Sequence, residues 1–381
     1  MADEFRFISH LHLGLLTALT LACIFSAANH TTSRRKPRRE NLPVDLSAWR
    51  EFYEDDICIY NAAWNEFVPL LSRHGLALWE SGPGFHSQPG GLPQPDNYLF
   101  LSANKVNINI RVNRFLVHNG LNNIARTTCG IKRDCVLRIL TAGGQGVTVL
   151  RLLRRLSQPP ESLFANNHIL PLIDEIIFDD IVIGVFPRLL LDLDDALLPS
   201  NGNSVEDSLH MILQALEGIT YLHDNRIAHR DLFLDNFVVE WLPESMDERS
   251  TVTRPRVYII DFESAIEFPE DSLAHERLCS GVPVPPRKIY RRQIPAELES
   301  DEPYNPFQLD IWQFGLDIHE YLYPTGLSEI DQLWLDLIAP GPGDRPTAHE
   351  ALLRLDGYLR KTPPSSLHFS KRQMVQQTNN I

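Results

Sequence analysis

Residues 229–236 read His229-Arg230-Asp231-Leu232-Phe233-Leu234-Asp235-Asn236, and the text on either side of them decides the fold. Upstream, Val205, Leu209, Ile212, Leu213, Leu216, Ile219 and Leu222 recur at helical steps, which predicts a long amphipathic helix ending near His223. Downstream, two short apolar runs at 237–241 and 257–260 predict strands on either side of a polar insert holding Pro243 and Pro255. The second run ends in Asp261-Phe262-Glu263. An Asp and an Asn thus fall in a turn after a helix, and a second Asp ends the next strand.

Helical patterns dominate beyond this point, at 307–321, Ser328–Leu337 and 347–359. Before residue 190 the pattern is β-rich, with strand-like runs at 106–112, 115–117, 135–140, 169–177 and 181–186 and one basic helix over Val147–Leu156. An aromatic leader with Trp49, Phe52, Tyr53, Tyr60, Trp64 and Phe67 predicts one or two amphipathic helices, and 81–96 reads as a Gly/Pro linker. The expected organisation is an apolar segment and basic neck (1–40), leader and linker (41–96), one large domain (97–360) and a disordered tail (361–381).

The stretch 229–236 fits the kinase catalytic-loop pattern H-R-D-L-x-x-x-N at all five fixed letters. With Asp261-Phe262 after a strand, the permuted Ile294-Pro295-Ala296-Glu297, Asp310-Ile311-Trp312-Gln313-Phe314-Gly315 and Gly343-Asp344-Arg345-Pro346-Thr347 in order, the chain resembles the eukaryotic protein kinase superfamily over about residues 97–360. Its overall look is similar to divergent kinase-like proteins of filamentous fungi. The resemblance implies an α+β, bilobal protein-kinase-like fold with a small β-rich N-lobe and a larger helical C-lobe. It implies ATP- and Mg²⁺-dependent phosphoryl transfer to Ser/Thr hydroxyls of protein substrates, with Asp231 as catalytic base and Asn236 and Asp261 on the metal. It also implies a buried pair between Glu297 and Arg345.

The small lobe departs from that pattern. Val136-Leu137-Arg138-Ile139 puts Arg138 where the family carries its phosphate-holding lysine, and arginine is bulkier and planar. Residues 135–160 contain no Asp or Glu, so the usual helix glutamate has no counterpart there. The glycine-rich loop is reduced to a candidate turn at 118–124 with Gly120, while Gly143, Gly144 and Gly146 follow the Arg138 strand and read as a loop before the basic helix. Glu263 replaces the glycine of D-F-G, as a phosphate-repelling charge or an added metal ligand, and Phe233 replaces a common lysine. Lys132 is the best substitute ammonium, beside the plainer reading of a solvated turn lysine. These losses keep open a pseudokinase, a binding or scaffolding module without phosphotransfer. Between Asp261 and Pro295 the hydroxyl residues are Ser264, Ser272, Ser280 and Tyr290, and Arg230 is placed to pair with a phosphate on one of them.

The 381-residue chain carries a net charge of −14. Residues 1–40 hold six basic side chains against three acidic ones, leaving 29 basic and 46 acidic in the body, a charge of −17. Such a body excludes a dedicated nucleic-acid role. Five cysteines without a C-x-x-C pair exclude a disulfide framework. The apolar run at 11–28, LHLGLLTALTLACIFSAA, is about 27 Å long as a helix and is followed by the basic run 34–39. It reads as a membrane anchor with the body in the cytosol and membrane contact through 11–39. A cleaved signal and a buried or poorly packed terminal helix are the competing readings.

Overall fold

The computed structural model describes residues 37–51, 57–82, 85–87, 114–116, 120–130, 132–189, 191–198, 203–240, 255–284, 290–300 and 302–367. The apolar run at 11–28 and the strand reading at 106–112 lie outside them. Three leader helices come first: α1 (Leu46–Arg50), α2 (Ile57–Glu66) and α3 (Val68–Arg73). Strand β1 (Leu76–Leu78) follows, then a small antiparallel sheet of β2 (Glu80–Gly82), β3 (Phe85–Ser87) and β4 (Arg114–Leu116). The start of the stretch read as a linker is therefore a hairpin, pinned by His86, whose ring meets Tyr60 Oη at 2.7 Å and Ser81 Oγ at 3.0 Å.

The main sheet adds β5 (Asn122–Thr127), β6 (Asp134–Thr141), β7 (Asp174–Phe178) and β8 (Ile181–Pro187), with helix α4 (Val147–Leu156) between β6 and β7. Its order is β1-β5-β6-β8-β7, antiparallel throughout. Strand β5 has the sequence NNIART, which looks like a loop because its charge is disguised. Arg126 is buried against Asp134, with Nε to Oδ1 at 2.7 Å, so the pair satisfies itself inside the sheet. The run read as a strand from 169 enters the sheet only at Asp174, since Pro171 lacks an N–H and Ile169 instead bridges Ile259.

Period-two alternation in β6 sorts its side chains between two faces. Leu137 and Ile139 join a core built with Leu46, Trp49, Trp64, Phe67 and Leu71, so the leader and the sheet share one hydrophobic cluster. Arg138 points to the opposite face. On that side Leu140, Val182 and Phe186 pack with α4 into the large core of the helical lobe.

That lobe contains β9 (Leu191–Asp192), α5 (Leu193–Leu197), the long α6 (Val205–Asp224), β10 (Ile227–Ala228), β11 (Phe237–Val239), β12 (Val257–Ile259), β13 (Ile266–Glu267), α7 (Pro306–Leu322), α8 (Ser328–Leu337) and α9 (Ala348–Lys361). Helices α6 and α9 each open with a complete capping box, on Ser204 and Thr347. Residues read as the start of a tail continue the lobe, with a turn at Pro364–Ser366 and Leu367 buried against α6. The architecture is α+β, with a small β-rich lobe and a larger helical one. Among the described residues no helix is long and apolar enough to cross a membrane.

Candidate active site

The loop after α6 is assembled from below by α7. Asp310, fully buried, accepts from His229 N at 2.9 Å and Arg230 N at 2.6 Å and also meets His223 Nε2 at 3.0 Å. Gln313 accepts from Leu232 N and donates to the Arg230 carbonyl, both at 3.0 Å, and Asp317 accepts from Leu234 N at 2.8 Å. Successive turns of one helix therefore satisfy a loop whose own backbone makes few bonds, and they hold Arg230 in the left-handed region at φ 68°. Burial lifts the Asp317 carboxyl to about 6.

This scaffold presents Asp231. Asn236 Nδ2 donates to the Asp231 carbonyl at 2.8 Å and to its Oδ2 at 2.9 Å. Oδ1 is buried and receives no hydrogen bond, and Arg292 Nε lies 3.4 Å from it. Burial raises the Asp231 carboxyl above the usual aspartate range, and Arg292 works against that rise. The Arg292 guanidinium also binds both oxygens of Asp235, at 2.9 and 2.8 Å, and stacks 4.6 Å from the centre of the Phe233 ring. A cation from the segment after Asp261 thus stands beside the catalytic-loop carboxylate, where position 233 itself has none.

Asp261 follows β12 in the left-handed region at φ 64°. Its backbone neighbour Ile260 donates to the Asn236 carbonyl at 2.9 Å, which ties the two loops together. Arg138 reaches across from β6: Nη2 lies 2.9 Å from Asp261 Oδ1 and 2.7 Å from Glu263 Oε1, while Nη1 donates to Asn122 Oδ1 at 3.0 Å. Burial opposes the Arg138 charge, and the two carboxylates outweigh it, so its proton is held above the usual arginine range. Glu263 therefore faces a cation, and Arg50 holds its second oxygen at 3.0 Å.

Of the residues expected at the site, Asp231, Asn236, Asp261 and Arg138 are brought together and Lys132 is not. Lys132 sits at the β5 to β6 turn with its ammonium on the Thr128 carbonyl, six strand positions or about 20 Å from Arg138. The single-glycine turn expected at 118–124 gives way from Asn122 onward to strand β5. Gly143, Gly144 and Gly146, all at positive φ, do form the loop before α4. The pair of Glu297 and Arg345 is present, buried and bidentate at 2.5 and 3.1 Å. Arg230 donates to Tyr304 Oη at 3.1 Å, and that hydroxyl donates to the Gly281 carbonyl. The sequence reading missed Glu263 as a partner, Arg50 and Arg292. For Arg292 the signal was the missing cation at Phe233, and for Glu263 the missing acid in 135–160.

Among the described residues no group of three or more His, Cys, Asp or Glu side chains is arranged to hold a metal. The oxygen donors available to Mg²⁺ are the Asp261 carboxylate and the Asn236 amide oxygen, hard ligands of the type that ion takes beside phosphates. Asp231 Oδ1, which accepts no hydrogen bond and has only the Arg292 charge beside it, is an acceptor of the kind a substrate hydroxyl requires. The donor chemistry fits an Mg²⁺-nucleotide.

A catalytic loop of this geometry, hung between a small sheet and a helical lobe, defines a protein-kinase-like domain. No protein-family model matches the chain. It is 28% identical over 136 residues to a probable serine/threonine-protein kinase, the MRK1 homolog of Encephalitozoon cuniculi, covering 35% of each chain. It is 31% identical over 106 residues to serine/threonine-protein kinase ppk8 of Schizosaccharomyces pombe, covering 28% of this chain and 17% of that one. With the mitosis inducer protein kinase cdr1 of the same yeast it shares 25% over 148 residues, 38% of this chain and 21% of that protein. The matches thus span about a third or less of these relatives' own length. Fold, loop and matches together support membership of the protein kinase superfamily.

Proposed function

We propose that the protein is a divergent Ser/Thr-type kinase that transfers phosphate from ATP with Mg²⁺ to protein hydroxyls. The observation that carries this reading is the pairing of Arg138 with Glu263 at 2.7 Å. The ion pair that holds the phosphate-facing cation, absent from 135–160, is rebuilt with its carboxylate supplied by position 263. Arg138 thus keeps a partner when Asp261 turns to a metal. When bound, Mg²⁺ and ATP supply charge neutralisation and the phosphoryl donor. Asp231 then orients the substrate hydroxyl and accepts its proton, Asn236 holds the Asp231 carboxylate by one hydrogen bond to Oδ2 and its main chain by another to the carbonyl, and Asn236 and Asp261 offer the metal their oxygens. Arg138, held beside Asp261, is the cation offered to phosphate oxygens.

The test is phosphate transfer from ATP by the full chain, with and without Mg²⁺, onto itself and onto generic protein substrates. Transfer that depends on Asp231 supports the reading, and transfer unchanged in Asp231→Ala overturns it.

A second reading, a scaffolding pseudokinase, is favoured by one contact. Arg138 engages Asp261 itself at 2.9 Å, so an internal cation occupies the carboxylate a metal would use. Nucleotide binding that is indifferent to Mg²⁺, with no transfer, is its signature. Our reading of the amino-terminal region as a membrane anchor belongs to the same proposal, with one amendment. Arg39 is engaged by Asp180 Oδ1 at 2.5 Å and by the Pro43 and Val44 carbonyls, so it serves the fold and leaves membrane contact to 11–38.

A further inference from the structure

Helix α1 has only five residues, yet it is anchored on every side. Asp45 caps it by accepting from Ala48 N at 2.9 Å, and Leu46 and Trp49 are buried in the core of the small lobe. Its start presses on the loop before α4: a side chain at Gly143 would run into the Val44 carbonyl and Asp45, and one at Gly146 would meet Leu46. Upstream, Arg39 clasps Asp180, which also accepts from Gly143 N at 2.6 Å. The last residue of α1 is consequently delivered to a defined place.

That residue is Arg50, and its place is Glu263, 213 positions away. Arg50 Nε and Nη2 both address Oε2, at 3.3 and 3.0 Å, while Oε1 belongs to Arg138. Each carboxylate oxygen therefore has its own guanidinium. Arg50, Arg138, Asp261 and Glu263 form a chain of four charges summing to zero. Without Arg50 the same cluster is net negative beside the position where anionic phosphates bind, and one oxygen of Glu263 has lost its ion-pair partner.

We propose that the leader supplies a working part of the nucleotide site: Arg50 is a positioning residue that holds and neutralises Glu263, and through it keeps Arg138 directed at nucleotide phosphates. The proposal rests on the kinase reading for its ligand, and on geometry alone for the coupling. A leader that only supports the sheet would need Leu46 and Trp49 and nothing at position 50. The inference makes the segment before the catalytic domain a determinant of nucleotide affinity.

The experiment is a double-mutant cycle in the full chain with Arg50→Gln, Glu263→Gln and the pair, read as the dissociation constant for ATP with Mg²⁺. Arg50→Gln is expected to weaken binding about threefold, the scale of a half-exposed ion pair. The loss is expected to vanish in the Glu263→Gln background, and Arg50→Lys is expected to keep most of the wild-type affinity. An unchanged constant in the single variant, or an equal loss in both backgrounds, overturns the proposal. If the wild-type chain binds no ATP, the kinase reading fails by itself. Hydrogen exchange in the ligand-free protein then decides the coupling: Arg50→Gln should speed exchange over 261–267 in the wild-type background and not with Glu263→Gln, and unchanged exchange refutes it.

Discussion

Glu263 Oε1 lies 2.7 Å from Arg138 Nη2, joining the residue after Asp261-Phe262 to the middle of the central sheet strand. Both positions depart from the kinase pattern, arginine for lysine and glutamate for glycine, and in the folded protein each departure answers the other. A guanidinium reaches further than an ammonium and presents a fork of donors, which lets one side chain serve Asn122, Asp261 and Glu263 together.

Restoring the familiar glycine should therefore harm the protein. Glu263→Gly is expected to weaken nucleotide binding about tenfold, because it strips Arg138 of a charge-assisted bond. Isothermal titration with ATP and Mg²⁺ checks this. Tighter binding in the variant would mean that Glu263 acts as a repelling charge.

Arg292 should matter to the proton chemistry. Since it counteracts the upward push of burial on Asp231, its loss lets that carboxyl climb further. A base must be ionised, so in Arg292→Ala the acid limb of kcat/KM is expected to move to higher pH, and in Arg292→Lys by less. A pH profile that does not move would separate Arg292 from Asp231.

How much of this was legible beforehand depended on whether the interaction was local. The loop at 229–236, the helix at Val147–Leu156 and the helix at Ser328–Leu337 follow from short-range periodicity and letter spacing, and they stand where the sequence puts them. The buried pair of Glu297 and Arg345 was reachable through motif order. Strand β5 was not, because Arg126 is polar in isolation and becomes a core residue only once Asp134 lies beside it. Glu263 could be read only as repelling or ligating, since its partners are 125 and 213 positions away and sequence spacing carries no trace of them. Lys132 has the charge the site needs, but the turn between β5 and β6 holds it on the Thr128 carbonyl, away from the site.

The small lobe should be acid-sensitive through His86. Burial lowers this ring to about 4 from an ordinary value of 6.5. A histidine with a depressed folded value contributes stability that is complete above about 6.5 and is lost as pH falls toward 4. The contribution is up to about 3 kcal/mol. Urea midpoints of the wild type and His86→Gln should therefore converge between pH 7 and pH 4, and a constant gap would contradict the assignment.

The helical lobe should depend on Arg345, whose side chain is fully buried on Glu297. Arg345→Ala leaves that carboxylate buried without its cation and is expected to lower stability by about 3–5 kcal/mol. Denaturant unfolding checks the value, and a loss under 1 kcal/mol would show the pair to be dispensable.

The most direct measurement of the central claim is transfer of the γ-phosphate of ATP by the full chain, compared between the wild type and Asp231→Asn. Mg²⁺-dependent transfer to serine or threonine is expected, falling at least about a hundredfold in the variant, the scale of a lost general base. Transfer of equal rate in both proteins, or none from a wild-type chain saturated with ATP and Mg²⁺, would contradict it.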